Sequence, residues 1–398
     1  MKSIIFFYPS KTIGGAERLF ARVADSLSSS YNCYIIDYKD GVYKRLLPNF
    51  NSSNFLNYED KAPNLKDCYL ISYPPMMFDI IDYFRDTNYI KKILFWAVHP
   101  ANFESLIPFH RLNSRYLKSI SYKNIKTTIE LLNKNSALAI MDGSVKDNFI
   151  ELYNISSSFK NYLPIPIVTP KEQIEYKPFI KEPVKVCLLG RVSGEKTNSA
   201  IRVFKDLNSI KDTSIELDII GNGDGLEQLK AIKLNSNIKV NYLGVVVDNL
   251  DEALKKYDLL FATGTSTLEG AKLKIPSILL DDSYTQIPKS YKYKWIYDTK
   301  DYVLGSYIPS KYNINNNLTM QDIIKAVTNN NTKEKIANRC YEYTIKNHSL
   351  DEVTKELISY LSSSTLNLVS LKNLPINSLY FTSQRWLLSK IKPKKIYY

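Results

Sequence analysis

Two rhythms alternate along the chain. Short runs of consecutive apolar residues give way to glycine-bearing turns, and then to segments where apolar residues recur every three or four positions. Ser3 to Tyr8 reads as a buried strand, Pro9 to Gly14 as a loop and Gly15 to Leu27 as a helix. Tyr34 to Asp37, Cys68 to Tyr73, Lys92 to Ala97 and Ala137 to Met141 read as further strands. A stretch bearing Pro164, Pro166, Pro170, Pro178 and Pro183 interrupts the pattern and suits a connection. The pattern then restarts, with strands expected at Val184 to Leu189, Ile215 to Ile220, Ile238 to Leu243, Leu259 to Ala262 and Ser277 to Leu280. Helices are expected between them at Ser199 to Ser209, Leu226 to Ile232 and Leu250 to Tyr257. Strand, loop and helix repeating in this way predict α/β architecture with parallel sheets. The expected organisation is a Rossmann-like domain over 1–165, a linker over 166–183, a second Rossmann-like domain over 184–365 and a tail over 366–398. Ligands in such sheets bind beyond the carboxyl ends of the strands, so a cleft between the two domains is the expected site.

A length of 398 residues with 44% hydrophobic content suits two such cores. The formal charge of +13 implies anionic partners: nucleic acid, an anionic membrane face or phosphorylated substrates. No recognised nucleic-acid module accompanies the charge, so nucleic acid is not an expected partner. Cys33, Cys68, Cys187 and Cys340 are widely spaced, which argues against a zinc site or a disulfide framework and fits a reducing compartment. The N-terminus reads as a first core strand rather than a signal peptide. No apolar run approaches the roughly 18–20 residues needed to span a bilayer. The expected location is cytoplasmic, peripheral on the inner face of a membrane where the acceptor is membrane-held.

The run Phe261 to Leu280 carries the strongest chemical signal. It reads as a strand end, a turn of small hydroxyl residues, a short helix bearing Glu269 and another strand. Gly264, Thr265, Ser266 and Thr267 bring backbone N–H groups and hydroxyls to a helix start, where unpaired donors and the helix dipole favour an anion. A diphosphate at the turn and a ribose at the Glu269 carboxylate would describe a sugar nucleotide. A helix capped by one of the three hydroxyls, with Glu269 favouring the dipole, accounts for the same residues.

Several landmarks fall in one order. Gly190-Arg191-Val192-Ser193-Gly194-Glu195-Lys196 follows one strand, Gly221-Asn222-Gly223-Asp224-Gly225 follows the next, and then come Tyr242-Leu243-Gly244-Val245 and the Glu269 run. The series resembles the retaining GT-B glycosyltransferases of the GT4-like family (glycosyl transferases group 1), including bacterial enzymes of polysaccharide and lipopolysaccharide assembly. Gly14-Gly15-Ala16-Glu17 resembles that family's glycine loop.

The resemblance implies a GT-B fold, two Rossmann-like domains facing each other across a cleft, with an N-terminal acceptor-binding half and a C-terminal nucleotide-sugar-binding half. It implies a hexosyltransferase-type reaction with retention of anomeric configuration, using a nucleoside-diphosphate sugar as donor substrate, with no cofactor and no metal. Arg191 and Lys196 are the implied basic pair on the diphosphate, with His99 at the donor sugar. Gly14, Gly15, Gly264, Thr265, Ser266 and Thr267 are the implied contacts to the donor, with Gly244 and Val245 flanking the base and Glu269 holding the ribose. The family's first motif glutamate is missing, since Phe261 stands eight positions before Glu269. Two other readings stay open: a degenerate GT-B subunit supporting an active partner, and a GT-B nucleotide-sugar epimerase.

Arg111, Arg115 and Lys118 fall on one face of a helix if their segment is helical, with aromatic and apolar neighbours. This face would meet a glycan or lipid-linked acceptor at an anionic membrane. The tail carries Lys372, Arg385, Lys390, Lys392, Lys394 and Lys395 among aromatic residues. Deleting residues 385–398 is expected to weaken binding to anionic liposomes in a flotation assay. Unchanged flotation would take the membrane role from the tail.

Overall fold

Ile4–Phe7 and Leu259–Ala262 are apolar at every position and buried throughout, as strands covered on both faces must be. The computed structural model describes residues 2–107, 115–156, 158–246, 248–308 and 316–377, with backbone alone for 115–118. Two units divide the chain: Met1–Ile165 with Val353–Tyr398, and Pro166–Glu352.

The first unit contains β1 (Ser3–Phe7), α1 (Gly15–Ser28), β2 (Asn32–Asp37), α2 (Tyr43–Leu46), β3 (Phe55–Asn57), β4 (Cys68–Ser72), α3 (Met77–Tyr83), β5 (Ile90–Ala97), α4 (Arg115–Lys134), β6 (Leu138–Ile140) and α5 (Gly143–Tyr153). Its strands are all parallel in the order β3-β2-β1-β4-β5-β6. The second contains β7 (Val184–Leu189), α6 (Glu195–Leu207), β8 (Ile215–Ile220), α7 (Leu226–Lys230), β9 (Ile238–Gly244), α8 (Leu250–Leu254), β10 (Leu259–Ala262), α9 (Thr265–Ala271), β11 (Ser277–Leu279), α10 (Met320–Thr328) and α11 (Asn330–His348). Its order is β11-β10-β7-β8-β9, again all parallel. Both sheets are doubly wound, and each reverses strand order beside its first strand, between β1 and β4 and between β7 and β10.

Glycines lock the second sheet's loops together. Gly190 donates its N–H to the Ile220 carbonyl at 2.9 Å, Val192 to Asn222 at 2.8 Å, Gly225 to Val192 at 2.9 Å and Gly221 to Gly244 at 2.7 Å. Gly221 and Gly223 hold φ of 150° and 142°, and a Cβ on them would lie 1.9 Å from the Gly190 oxygen and 2.0 Å from the Val192 oxygen. Only a residue without a side chain permits that approach.

Two expected boundaries move. Residues 166–183, expected as a linker, contain no helix or strand but are tied into the second unit. The Ile167 N–H donates to the His348 carbonyl at 2.7 Å, and Asn330 brackets Phe179 with bonds of 2.7 and 3.0 Å. The second unit ends at Glu352 rather than 365, inside α12 (Leu350–Ser363). The latter part of α12 and the following α13 (Leu368–Lys372) belong to the first unit, where Ser364 Oγ donates to the Ile93 carbonyl at 2.6 Å and Ile93 N–H to the Leu366 carbonyl at 2.9 Å. Most of the basic tail, 378–398, lies outside the described residues.

Gly221→Ala is expected to destabilise the protein by about 1–3 kcal/mol through strained φ and the carbonyl clash. Gly15→Ala, whose Cβ would have nothing within 4 Å, is expected to be close to neutral. Thermal unfolding of the two variants beside wild type checks the contrast.

Candidate functional site

At the carboxyl ends of β7 and β10, Gly190, Arg191, Val192, Lys196, Thr263 and Leu280 line a shallow hollow open to solvent. Lys196 rides on the first turn of α6. That turn is stitched to the loop after β11: Ser283 N–H donates to the Glu195 carbonyl at 3.0 Å, Asn198 Nδ2 to the Ser283 carbonyl at 3.0 Å and Ser199 Oγ to the Asp281 carbonyl at 2.6 Å. Among the described residues no carboxylate lies within ion-pair distance of Arg191 or Lys196. Ser266 reaches the same place, for a Cβ on Gly190 would sit 3.7 Å from its Oγ. The structure therefore brings Arg191, Lys196 and Ser266 together.

α9 begins at Gly264, whose φ of 61° makes the sharp entry and whose N–H donates to the Leu304 carbonyl at 3.0 Å. No side chain caps the helix, so Thr265 and Ser266 stand at its open first turn. Thr267 faces the other way: it is fully buried and its hydroxyl donates to the Ala262 carbonyl at 2.9 Å, a structural bond that leaves its side chain nothing to offer a ligand. Glu269 is one-quarter exposed, and its Oε2 lies 2.6 Å from Lys272 Nζ. Lys272, only 7% exposed, also pairs with Asp251 at 2.9 Å. Burial works to lower the Lys272 ammonium, but the two carboxylates outweigh it and hold its pKa above the usual lysine value. Phe261 is wholly buried in β10 against the Tyr293 ring, so this strand end presents no carboxylate.

At the edge of the sheet, Gly244 holds φ of 70° and leaves open space where a Cβ would stand, while Val245 is 56% exposed. A flat ring has room there.

The first unit's residues are arranged differently. Gly14 N–H already donates to Glu17 Oε2 at 2.9 Å, and Ser10 Oγ donates to Glu17 Oε1 at 2.9 Å. Gly15 opens α1 beside them. His99 is exposed and caps a short turn, its Nδ1 accepting the Ala101 N–H at 3.1 Å. A backbone amide can only donate, so Nδ1 is unprotonated and Nε2 carries the ring's hydrogen. Arg111 lies outside the described residues, and Arg115 and Lys118 open α4, their side chains likewise outside the description.

No protein-family model and no curated protein matches the chain. Solved structures do. The chain is similar to Anabaena Alr3699/HepE in complex with UDP and glucose, with 11% identity and a TM-score of 0.51 over 91% of this chain and 100% of that one. It is similar to the lipopolysaccharide outer core galactosyltransferase WaaB in its apo form, with 13% identity and a TM-score of 0.55 over 91% and 99%. A glycosyltransferase from Rickettsia africae ESF-5 gives 14% identity and a TM-score of 0.56 over 91% and 98%. The fold is the GT-B fold. Within it, the hollow between β7 and β10 occupies the switch point at which doubly wound sheets take their ligands.

The GT-B second unit also holds a carboxylate that sequence reasoning passed over. Asp282 follows β11, and its Oδ1 is buried without a hydrogen-bond partner among the described residues. Burial pushes its carboxyl up to about 6; the Lys196 ammonium pulls it down, and Glu195 and Asp281 add to the rise. Its neighbour Asp281 is fully satisfied, accepting from Lys294, Asn316, Tyr291 and the Ser306 N–H. The signal was its position, two acids at the carboxyl end of a buried strand in a doubly wound sheet. No metal-binding group of three His, Cys, Asp or Glu side chains occurs among the described residues, and no helix among them is long and apolar enough to cross a membrane.

The Asp282 shift sets a pH dependence. The folded carboxyl binds its proton more tightly than an unfolded one, so stability falls as pH rises from about 4 through about 6. Asp282→Asn is expected to remove that loss, gaining thermal stability over wild type across this window and holding the gain above it. A difference between the two melting curves that stays flat from pH 4 to 7 would contradict the assignment.

Proposed function

We propose that the chain is a glycosyltransferase that moves a sugar from a nucleoside-diphosphate sugar to a glycan or lipid-linked acceptor. One observation carries the reading: Arg191 and Lys196 line the switch point of a GT-B second sheet with no carboxylate at ion-pair distance among the described residues. Two cations on the rim of a strand-end hollow suit a diphosphate, which a guanidinium and an ammonium bind through charge-assisted hydrogen bonds. The structure of Alr3699/HepE with UDP and glucose supports a uridine nucleotide as the first donor to test.

In this reading the bond between the anomeric carbon and the diphosphate oxygen breaks as the bond to the acceptor hydroxyl forms on the same face. The acceptor's proton passes to the departing diphosphate oxygen. The family resemblance supports retention without a protein nucleophile. Arg191 and Lys196 stabilise the charge growing on the leaving group, a role that elsewhere falls to a metal ion. The Glu269 carboxylate, paired with Lys272, accepts from the ribose, Gly244 and Val245 flank the base, and the His99 Nε2–H orients the sugar. Thr265 and Ser266 line the phosphate side of the site, and Gly15 is a donor contact from the first unit. Arg111, Arg115 and Lys118 serve an acceptor held at the cytoplasmic face of a membrane, and the WaaB likeness supports lipopolysaccharide or polysaccharide assembly as the setting.

The sealed Phe261 favours a second reading, in which the chain binds a sugar nucleotide and supports a partner without turnover.

Calorimetric titration with UDP-, GDP- and ADP-sugars tests both. Wild type is expected to bind one nucleotide family, and Lys196→Ala or Arg191→Ala to weaken it by about ten- to a hundredfold, the scale of a hydrogen bond to a charged group. Transfer is expected to persist in EDTA. Wild-type affinity in both variants would overturn the diphosphate assignment, and binding without transfer to any acceptor would favour the second reading.

A further inference from the structure

Past the diphosphate cations, the chain leaves β11 through a loop whose side chains share one face. Asp282 and Tyr307 form an isolated parallel bridge, with Asp282 N–H donating to the Ser306 carbonyl at 2.8 Å and Ile308 N–H to the Asp282 carbonyl at 2.9 Å. Bridge partners stand side by side, and the ring contact between Tyr284 and Tyr307 sets Tyr284 beside them. The Tyr284 and Tyr307 rings lie 5.6 Å apart, 67% and 50% exposed, an apolar surface with nothing over it among the described residues. The Glu195 carboxylate, on the residue before Lys196, lies near enough to the Tyr284 phenol to push its pKa up.

Asp282 completes the group. A buried carboxylate oxygen without a donor is costly, and native proteins keep such an atom where a ligand or water supplies one. Lys196 lies close enough to lower the carboxyl's pKa. A sugar ring offers the matching chemistry: hydroxyls that donate to a carboxylate, and a C–H face that rests on aromatic rings. In a sugar nucleotide that ring is bonded directly to the diphosphate, so its seat must adjoin the phosphate cations, as Asp282 does.

We infer that Asp282, with Tyr284 and Tyr307 beside it, forms the subsite for the transferred sugar. Oδ1 accepts a ring hydroxyl, and the tyrosine pair covers an apolar face of the ring. The inference rests on the glycosyltransferase reading and deepens it by separating sugar recognition from nucleotide recognition. Asp282 sets which sugar is held, whereas Arg191 and Lys196 hold any nucleoside diphosphate.

The test measures a margin. Affinities for a bare nucleotide and for its sugar forms (UDP with UDP-glucose and UDP-galactose, GDP with GDP-mannose) are taken without acceptor on wild type, Asp282→Asn, Asp282→Glu and the double variant Tyr284→Ala/Tyr307→Ala. Wild type is expected to bind one sugar form about tenfold more tightly than its bare nucleotide, the worth of one hydrogen bond to a charge. Asp282→Asn and the tyrosine double variant should erase that margin while keeping bare-nucleotide affinity within about twofold, and Asp282→Glu should restore part of it. An unchanged margin in both variants, an equal loss of bare-nucleotide affinity, or a defect confined to acceptor KM would overturn the subsite. A wild type that binds no nucleotide at all would overturn the transferase reading itself, and the subsite with it.

Discussion

The loops that follow β7 and β8 approach each other to backbone contact, and the rest of the second unit's site depends on that approach. Two of the backbone bonds between them join Val192 to Asn222 and to Gly225, and they exist because Gly221 and Gly223 put no Cβ in the way. The constraint fixes Gly190–Val192 and therefore the direction in which the chain enters α6 at Gly194, whose φ of 55° makes the final turn. Arg191 lies in the clamped loop and Lys196 one helical step beyond it. A side chain at Gly221 would move both cations without touching either.

The unit's buried charges show how unusual that strand end is. Lys294 meets Asp281, Lys333 meets Asp258, and Asp218 takes Lys256, Tyr257 and Asn241. Each carboxylate drawn into the protein has its donors, as the cost of an uncompensated buried charge requires. Asp282 departs from this, and it lies near Lys196, which lines the hollow with Arg191. Two cations without ion-pair partners and a carboxylate with a bare oxygen make a site already divided by charge. One side suits an anion, and the other suits a group that donates hydrogen bonds. A sugar nucleotide has that division built into it. Phe261 closes the end of β10 with an aromatic ring, so the carboxylate enters from β11 instead.

Most of both sheets could be read from the sequence because parallel strands announce themselves as apolar runs between glycine turns. β3 could not, being three residues long at the sheet edge and ending in Asn57. α11 could not either, since its buried residues are sparse and it is anchored by the Asn329 cap and by Lys333 reaching Asp258. α6 starts at Glu195, before the expected Ser199, because glycine at Gly194 lets the helix begin there. At the site, Arg191 and Lys196 were reached through the family resemblance of their loop and Ser266 through the hydroxyl-rich helix start, and the structure places the three near one another. Glu269 was legible as a residue but not as one arm of an ion triad, and Thr267 looked available when it is sealed. Asp282 was legible only as one of two acids at a strand end, because its meaning comes from a bridge to Tyr307 and from the proximity of Lys196, contacts that no local pattern encodes.

The two switch points, built on the same strand order, are lined by residues of opposite sign. Between β1 and β4 the first sheet presents Glu17, buried and held by Ser10 and by the Gly14 N–H, beside the contacting rings of Tyr8 and Tyr73. Burial, Tyr73 and Glu17 all drive the Tyr8 pKa upward, so that phenol stays protonated. The glycine loop there has given its Gly14 N–H to an internal carboxylate, and a phosphate would meet like charge as well as an occupied donor. Between β7 and β10 the glycine loop carries a cation on its own chain and another just beyond it, and neither has a carboxylate at ion-pair distance among the described residues. One fold, used twice, has therefore kept its helix-start anion chemistry in the second unit and filled it internally in the first. A neutral hydroxyl donor, such as an acceptor sugar, suits the first switch point for the same reason that a diphosphate suits the second.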